Sequence, residues 1–321
     1  MSSFRLVVLG AAGGPVDRHT SAYLIRAGHG PWTRDCALAI DAGTLVSGIK
    51  DLYSQPNASD DGFLPPIAAD RSVHEASWDV LEHYVSAIYL THPHFDHIAG
   101  LVINSAGLSN LRPMRLAGLT STLHALRSHV FNDVVWPNLT DDAGCGTLLL
   151  DHLAAAVEQP ANDGLAVEPF PVSHGHNTES TAYLIRDCRS GNHMLVWGDV
   201  EPDTVARTPR NITVWRRAAD LLLRHSLVAV LVECSYPHTH GAAPLFGHMS
   251  PQHLIDELQT LATLVGRPHI DCPVVITHVK ERCQPGEAAR QTIKSDLEAL
   301  AKQQGLTCNF LMAHPGMCLN L

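Results

Sequence analysis

The sequence predicts an α/β (α+β) protein in which two β-sheets pack face to face and helices cover their outer sides. Short apolar runs of strand length come first, helical patterns then alternate with further strands, and the alternation recurs in the second half. The chain has 321 residues, 45% of them hydrophobic, which is enough for a large core. No linker-like, highly charged or low-complexity segment divides it, so we expect one domain over residues 1–321.

Nine apolar runs are predicted to be strands. The first ends in a turn that contains Gly13, Gly14 and Pro15. The Asp41-Ala42-Gly43 turn ends the third. The nine runs, in chain order, are residues 4–9, 21–26, 36–40, 85–91, 167–173, 182–186, 194–198, 227–234 and 274–277.

Three segments have the apolar spacing of helices. They are residues 120–135, 251–265 and 287–304. Ser250 and Pro251 suit the N-cap and first turn of the second helix, and Gly266 ends it. Gly305 follows the third as its C-cap. Residues 54–72 are rich in Pro, Asp, Asn and Ser, which predicts a surface loop.

Composition limits the classes of function. Lys and Arg number 22 against 32 Asp and Glu, a formal charge of -10, which disfavours broad binding to a nucleic-acid backbone. The eight cysteines form no CxxC pair, which favours reduced thiols over a disulfide framework or a cysteine zinc site. No apolar run approaches the length of a membrane span, and the N-terminal run is too short for a secretory signal. We therefore expect a soluble, cytoplasmic protein with no membrane partner.

The segment at residues 91–97, Thr-His-Pro-His-Phe-Asp-His, contains four potential metal ligands within six residues. It directly follows a predicted strand, and a loop that leaves a strand can aim successive side chains at one point. His92 and His94 can face one metal, and Asp96 and His97 can face a second. The competing interpretation is a polar loop with incidental histidines, and the density of ligands disfavours it.

Further polar residues directly follow other apolar runs. They are His174, Asp199 and His278. Each alone is equally well explained as a capped turn or a surface residue, but together with residues 91–97 they mark four strand ends that can meet. Glu233 also follows a strand, and it can either support a metal site or lie in solvent.

The pattern HxHxDH, followed by His, Asp and His, resembles the metallo-β-lactamase superfamily over nearly the whole chain. The resemblance implies a four-layer αββα sandwich with two metals at one edge of the sheets. Asp199 would bridge the metals, and Asp41 would orient a ligand without binding metal itself. The implied ligands are His92, His94 and His174 for one metal, and Asp96, His97 and His278 for the other.

A narrower resemblance is carried by residues 92–105, which are similar to the signature of class II cyclic-nucleotide phosphodiesterases. The chain departs from that signature at Phe95, where the family usually has leucine. Further similar blocks are residues 129–132, 136–138, 173–175, 233–236 and 247–251.

This resemblance implies a two-metal phosphodiesterase that hydrolyses 3′,5′-cyclic nucleotides, first of all cAMP, to nucleoside 5′-monophosphates through a metal-bridging hydroxide. Asp96, Asp199 and His248 are the expected catalytic residues, with His248 as proton donor; a helix-entry role for His248 is equally open. Zinc is the default metal, with Mn²⁺ or Fe²⁺ as alternatives. The expected partner is a small cyclic nucleotide, and a homodimer stays open.

Other functions compatible with the same site remain open. One is an RNA 3′-end endonuclease of the tRNase Z type, which the acidic balance and the lack of a basic insert disfavour. Others are a thioester or lactone hydrolase and a catalytically silent metal-binding protein. Trp136 and Asn138 either line a nucleotide pocket or pack beside a helix end. His176 and His240 receive no role.

Overall fold

Two seven-stranded sheets form the centre of the protein in a computed structural model, which describes residues 2–55, 61–141, 146–238, 244–281 and 286–321. The strand order is β14-β1-β2-β3-β4-β5-β6 in the first sheet and β13-β12-β11-β10-β9-β8-β7 in the second. The strands of the first sheet are β1 (Phe4–Gly10), β2 (Ala22–Ala27), β3 (Ala37–Ile40), β4 (Val85–Tyr89), β5 (Met114–Gly118), β6 (Leu148–His152) and β14 (Cys318–Asn320).

The second sheet repeats the plan of the first. In both, a run of antiparallel pairings at one side gives way to parallel pairings at the other. The strands of the second sheet are β7 (Gln159–Pro160), β8 (Leu165–His174), β9 (Thr178–Asp187), β10 (His193–Trp197), β11 (Leu227–Glu233), β12 (His269–Thr277) and β13 (Thr307–Met312).

Helices cover the outer side of each sheet and complete four layers. Apolar side chains of α1 to α4 pack on the first sheet, and those of α5 to α7 pack on the second. The helices are α1 (Val46–Tyr53), α2 (Val73–Asp79), α3 (Phe95–Ser105), α4 (Thr120–His129), α5 (Asn211–Leu223), α6 (Pro251–Val265) and α7 (Gly286–Gln303), with a π-helical turn at Val80–Tyr84. The predicted sandwich is therefore confirmed.

Besides the apolar residues between each sheet and its helices, a further apolar layer lies between the two sheets. Tyr23, Tyr89 and Tyr183 are buried there, and the hydroxyl of Tyr183 donates to Leu90 O across the layer at 2.6 Å. Burial of such large side chains contributes most of the favourable energy that holds the sheets together.

One edge of the sandwich collects the carboxyl ends of several strands. In the first sheet β3 and β4 are parallel, and in the second β10, β11 and β12 are parallel. Strand β8 runs in the same direction as β10, because each is antiparallel to β9. Residues that directly follow these strands are thus brought to one edge.

The predicted helix over residues 120–135 is too long, because α4 ends at His129. The side chain of Asn132 accepts hydrogen bonds from the backbone N–H groups of Val134 and Val135, at 3.0 and 2.9 Å. This local turn competes with continued helix. By contrast, Gly266 ends α6 in a left-handed conformation, as predicted. None of the helices in the described residues has the length and apolar character to cross a membrane.

Candidate metal centre

The seven predicted ligands meet at the strand-end edge. His92 follows β4, His174 ends β8, Asp199 follows β10 and His278 follows β12. Their donor atoms form two clusters that share Asp199, and within each cluster all donor atoms lie within 4.8 Å of one another. The clusters are His92, His94, His174 and Asp199, and then Asp96, His97, Asp199 and His278.

The separations between donor atoms suit divalent metal ions. Oδ2 of Asp199 lies 3.6 Å from Nε2 of His92 and 3.2 Å from Nε2 of His278. Nε2 of His97 lies 3.1 Å from Nε2 of His278. Four donors placed tetrahedrally around zinc at its usual Zn–N distance are about 3.3 Å apart. The donors therefore have the spacing of a ligand set.

Nε2 of His92 gives an independent sign of a missing partner. His92 is fully buried, and this atom has no hydrogen-bond partner, whereas its Nδ1 lies 3.0 Å from Oγ1 of Thr91. A buried polar atom without a partner costs free energy. A metal ion shared with His94 and His174 would remove this cost, so the residues present fit the metals that the fold implies.

In four of these histidines Nδ1, the ring nitrogen that faces away from the centre, is in a hydrogen-bonding contact. Nδ1 of His174 lies 2.8 Å from Gly247 O, and Nδ1 of His278 lies 3.0 Å from Oγ of Ser235. Thr91 and Asp41 hold His92 and His97 in the same way. Each contact fixes the ring so that Nε2 points into the centre, as outer partners do in metal sites.

Asp41 orients residues of the centre and contributes no donor to either cluster. Its carboxylate lies 2.7 Å from Nδ1 of His97 and accepts from both the backbone N–H and the hydroxyl of Thr91. Asp41 has a φ of 56° and His278 a φ of 58°, a region that residues other than glycine seldom adopt. Such strain persists where the surroundings enforce it, which is common at functional sites.

The loop predicted for residues 91–97 is only partly correct. Helix α3 starts at Phe95, so Asp96 and His97 lie in its first turn. They still reach one cluster because the helix begins at the centre itself, and His278 meets them from the opposite sheet. A Cβ on Gly100 would lie 2.7 Å from Ala42 O, so the glycine lets α3 approach the turn after β3.

Burial and neighbouring carboxylates set the protonation of the metal-free centre. Burial lowers the pKa of His92 well below its usual value and that of His174 to about 4. Burial acts in the same direction on His97, but Asp199 and Asp41 outweigh it and raise its pKa. The charges of His278 and His97 outweigh burial at Asp199 and hold its pKa well below the usual range. A metal ion bound there would therefore displace a proton from His97.

His248 and Glu233 form a buried pair beside the clusters. Nδ1 of His248 lies 2.9 Å from Oε1 of Glu233, and 3.7 Å from Oδ2 of Asp199. Burial lowers the pKa of His248, but the Glu233 carboxylate outweighs burial and raises it. Glu233 also accepts from the Val200 N–H and from the Ser235 hydroxyl, so its position is fixed. Because Nδ1 is engaged by Glu233, Nε2 is the ring nitrogen of His248 that is left for a further contact.

Several residues that shape the centre gave little sign in the sequence. Thr91, Ser235 and Gly247 act through hydrogen bonds, and Gly13 acts through its lack of a side chain. A Cβ on Gly13 would lie 2.5 Å from Cε1 of His278. All four lie in segments that the sequence singled out, but nothing in those segments indicated these contacts.

The residues left open in the sequence lie as follows. The indole N–H of Trp136 donates to Oγ of Ser105 at 3.1 Å, and its ring packs against the apolar side chains between the first sheet and its helices. Packing therefore explains Trp136. Asn138 accepts from Thr140 within its own turn. His176 pairs with Arg207 at 3.1 Å. His240 lies outside the described residues. All six described cysteines are free thiols.

Comparison with known proteins finds similarity to cyclic-nucleotide phosphodiesterases. The family model described as "cAMP phosphodiesterases class-II" matches residues 37–316. The 3′,5′-cyclic-nucleotide phosphodiesterase of Schizosaccharomyces pombe is 32% identical, over 98% of this chain and 92% of that protein.

Solved structures agree on the fold. The crystal structure of unliganded yeast PDE1 superposes with a TM-score of 0.88 and 26% identity over all of both chains. The metallo-β-lactamase fold protein YhfI of Bacillus subtilis superposes with a TM-score of 0.59 and 14% identity, over 99% of each chain. The predicted metallo-β-lactamase-like sandwich is thereby confirmed.

Proposed function

Because the chain belongs to the class-II cAMP phosphodiesterase family, we propose that it hydrolyses 3′,5′-cyclic nucleotides, with cAMP as the first candidate. The products would be nucleoside 5′-monophosphates. The observation that carries the proposal is the pair of donor clusters that share Asp199 at one sheet edge. Relatives named 3′,5′-cyclic-nucleotide phosphodiesterases, similar over nearly the full chain, support the substrate class.

Two divalent cations are proposed as cofactors. Zinc is the first candidate because imidazole nitrogen and carboxylate oxygen are among its usual ligands. His92, His94 and His174 would hold one, Asp96, His97 and His278 the other, and Asp199 both. The metals would supply Lewis-acid stabilisation of charge on the phosphoryl oxygens and a water of lowered pKa. Mn²⁺ and Fe²⁺ are the alternatives.

The protein's own part in the proposed reaction is to position groups and to supply a proton. Water attacks phosphorus, the bond from phosphorus to the 3′ oxygen breaks, and that oxygen needs a proton as it leaves. His248 would donate it, since the Glu233 carboxylate keeps the ring protonated and Glu233 holds the opposite ring nitrogen. Asp96 and Asp199 would contribute as ligands whose low pKa keeps them ionised.

The competing substrate is RNA. The formal charge of -10 opposes attraction of a polyanion, whereas a single cyclic phosphodiester needs only the metal centre to bind its charge. Charge thus supports a small substrate.

The experiment is a substrate panel on the zinc-loaded full chain, with cAMP, cGMP and a precursor tRNA. The proposal expects nucleoside 5′-monophosphate from a cyclic nucleotide and no cleavage of the tRNA. Cleavage of tRNA without turnover of either cyclic nucleotide would overturn it. An Asp199→Ala variant with full metal content and full turnover would overturn the assignment of the centre.

A further inference from the structure

A cavity of about 650 Å³ lies directly beside the metal centre. Asp96 belongs both to its wall and to the second donor cluster, so the cavity and the centre are continuous. Its volume falls within the range of about 300–1,000 Å³ that is typical of small-molecule sites. Its wall includes Val16, His19, Phe95, Ile103 and Asn104.

One wall of the cavity is an exposed apolar surface. Phe95 and Ile103 are each 65% exposed and Val16 is 40% exposed. Phe95 and Ile103 are eight positions apart on α3, with Ala99 between them, so they lie on one face of the helix. An exposed aromatic ring on such a face offers a flat surface on which another ring can stack.

Phe95 and the proposed ligand Asp96 line the same cavity, so one bound molecule can contact both. Consecutive Cα atoms are about 3.8 Å apart, which keeps the two residues close. A phosphate held at the centre would therefore leave its attached sugar and base in the cavity that Phe95 lines.

Charge on the remaining wall disfavours a second phosphate. Asp17, Asp51 and Arg18 line the cavity beyond Asp96, which leaves one net negative charge. Oδ2 of Asp51 is engaged by His19 at 2.9 Å and by Arg18 at 3.6 Å. A neutral, planar group suits this wall better than an anion.

The cavity also offers a polar group that can read the edge of a base. Oδ1 of Asn104 accepts from the Val46 N–H at 3.4 Å, so its amide nitrogen is the group left to donate. Amide donors of this kind pair with ring nitrogens and carbonyl oxygens of purines.

We infer that this cavity binds the nucleobase of the substrate, with Phe95 as the ring on which the base stacks and Asn104 as a donor to its edge. The inference rests on the proposed function and names the residues that would recognise the base. Phe95 would thus act on affinity, and the metal centre would act on the phosphate.

The test measures binding by calorimetry on the zinc-loaded full chain, with AMP and with ribose 5-phosphate as probes. Base–aromatic stacking is worth enough that Phe95→Ala should weaken AMP binding about tenfold. Binding of ribose 5-phosphate should stay within twofold, because it has no base to stack. Phe95→Leu should lie between the wild type and Phe95→Ala.

Phe246→Leu is the matched control. Phe246 is 72% exposed but is absent from the cavity wall, so this variant should change AMP and ribose 5-phosphate binding by the same factor. Equal binding of the two probes by wild type, or an equal change for both probes in Phe95→Ala, would overturn the inference. A changed oligomeric state in Phe95→Ala with unchanged AMP binding would also overturn it and identify a subunit interface instead.

Turnover separates this inference from the proposed function. If wild type hydrolyses cAMP but Phe95→Ala keeps the same KM, the base site is wrong and the activity stands. If the wild type hydrolyses no cyclic nucleotide but the Phe95→Ala variant binds AMP more weakly, the base site stands and the proposed activity is wrong.

Discussion

Nδ1 of His97 lies 2.7 Å from Oδ2 of Asp41, and each of the two residues is only 1% exposed. This contact joins the turn after β3 to the first turn of α3. It fixes the His97 ring so that its Nε2 faces His278 and Asp199. The orientation of one proposed ligand thus depends on a residue that belongs to neither donor cluster.

Asp41→Asn should therefore weaken metal binding while preserving the fold. The amide has the size of the carboxylate but lacks its charge, so it supports the His97 ring less well. Loss of such an outer partner typically costs 10–100-fold in metal affinity. Competition with a zinc chelator measures it. Asp35→Asn is the control, because Asp35 pairs with Arg112 away from the centre and should keep wild-type affinity.

Gly13→Ala should disturb the His278 cluster alone. The new Cβ would lie 2.5 Å from Cε1 of His278, so the ring must move. We expect about one metal to be lost per chain, with the His92 cluster still occupied, by elemental analysis after dialysis. Gly164→Ala is the control, since its Cβ would meet Ala27 at an ordinary 3.5 Å. An unchanged metal content in Gly13→Ala would contradict this packing argument.

Glu233→Gln should move the alkaline limb of the pH profile of kcat/KM to lower pH. The Glu233 carboxylate raises the pKa of His248, and the active form carries the His248 proton. Without that charge the pKa of His248 falls, so the proton is lost earlier as pH rises. Glu257→Gln is the control, because Glu257 accepts a hydrogen bond from Trp215, which is buried between the second sheet and its helices. An unshifted limb in Glu233→Gln would remove His248 from the role of proton donor.

The sequence predicted the layers of the fold well because buried strands and amphipathic helices leave strong patterns. Helix α6 and its Gly266 end followed directly from such a pattern. Strand β6, in contrast, was missed because it lies at a sheet edge, where only Leu148 of its three leucines is fully buried. A mostly uncovered edge strand lacks a continuous apolar run, although its buried neighbour β5 was missed as well.

Helix α3 was missed for a different reason. Its buried residues Ile98, Leu101, Val102 and Ser105 follow helical spacing, but the ligand motif and Gly100 obscured it. The glycine is required by the close approach to Ala42, a tertiary contact that local propensity cannot reveal.

The clustering of the proposed ligands could be predicted because strand ends that share an edge must meet. Their supporting residues could not, because Thr91, Ser235 and Gly247 act through contacts between elements distant in sequence. Glu233 remained ambiguous until the loop before α6 brought His248 against it.

The most direct test is a titration of metal-free chain with Zn²⁺ while the initial rate of cAMP hydrolysis is followed. The shared Asp199 and the two clusters predict no turnover without metal and a rate that rises until about two equivalents are bound. Full turnover in the rigorously metal-free chain, or none at any zinc concentration, would contradict the proposed two-metal phosphodiesterase.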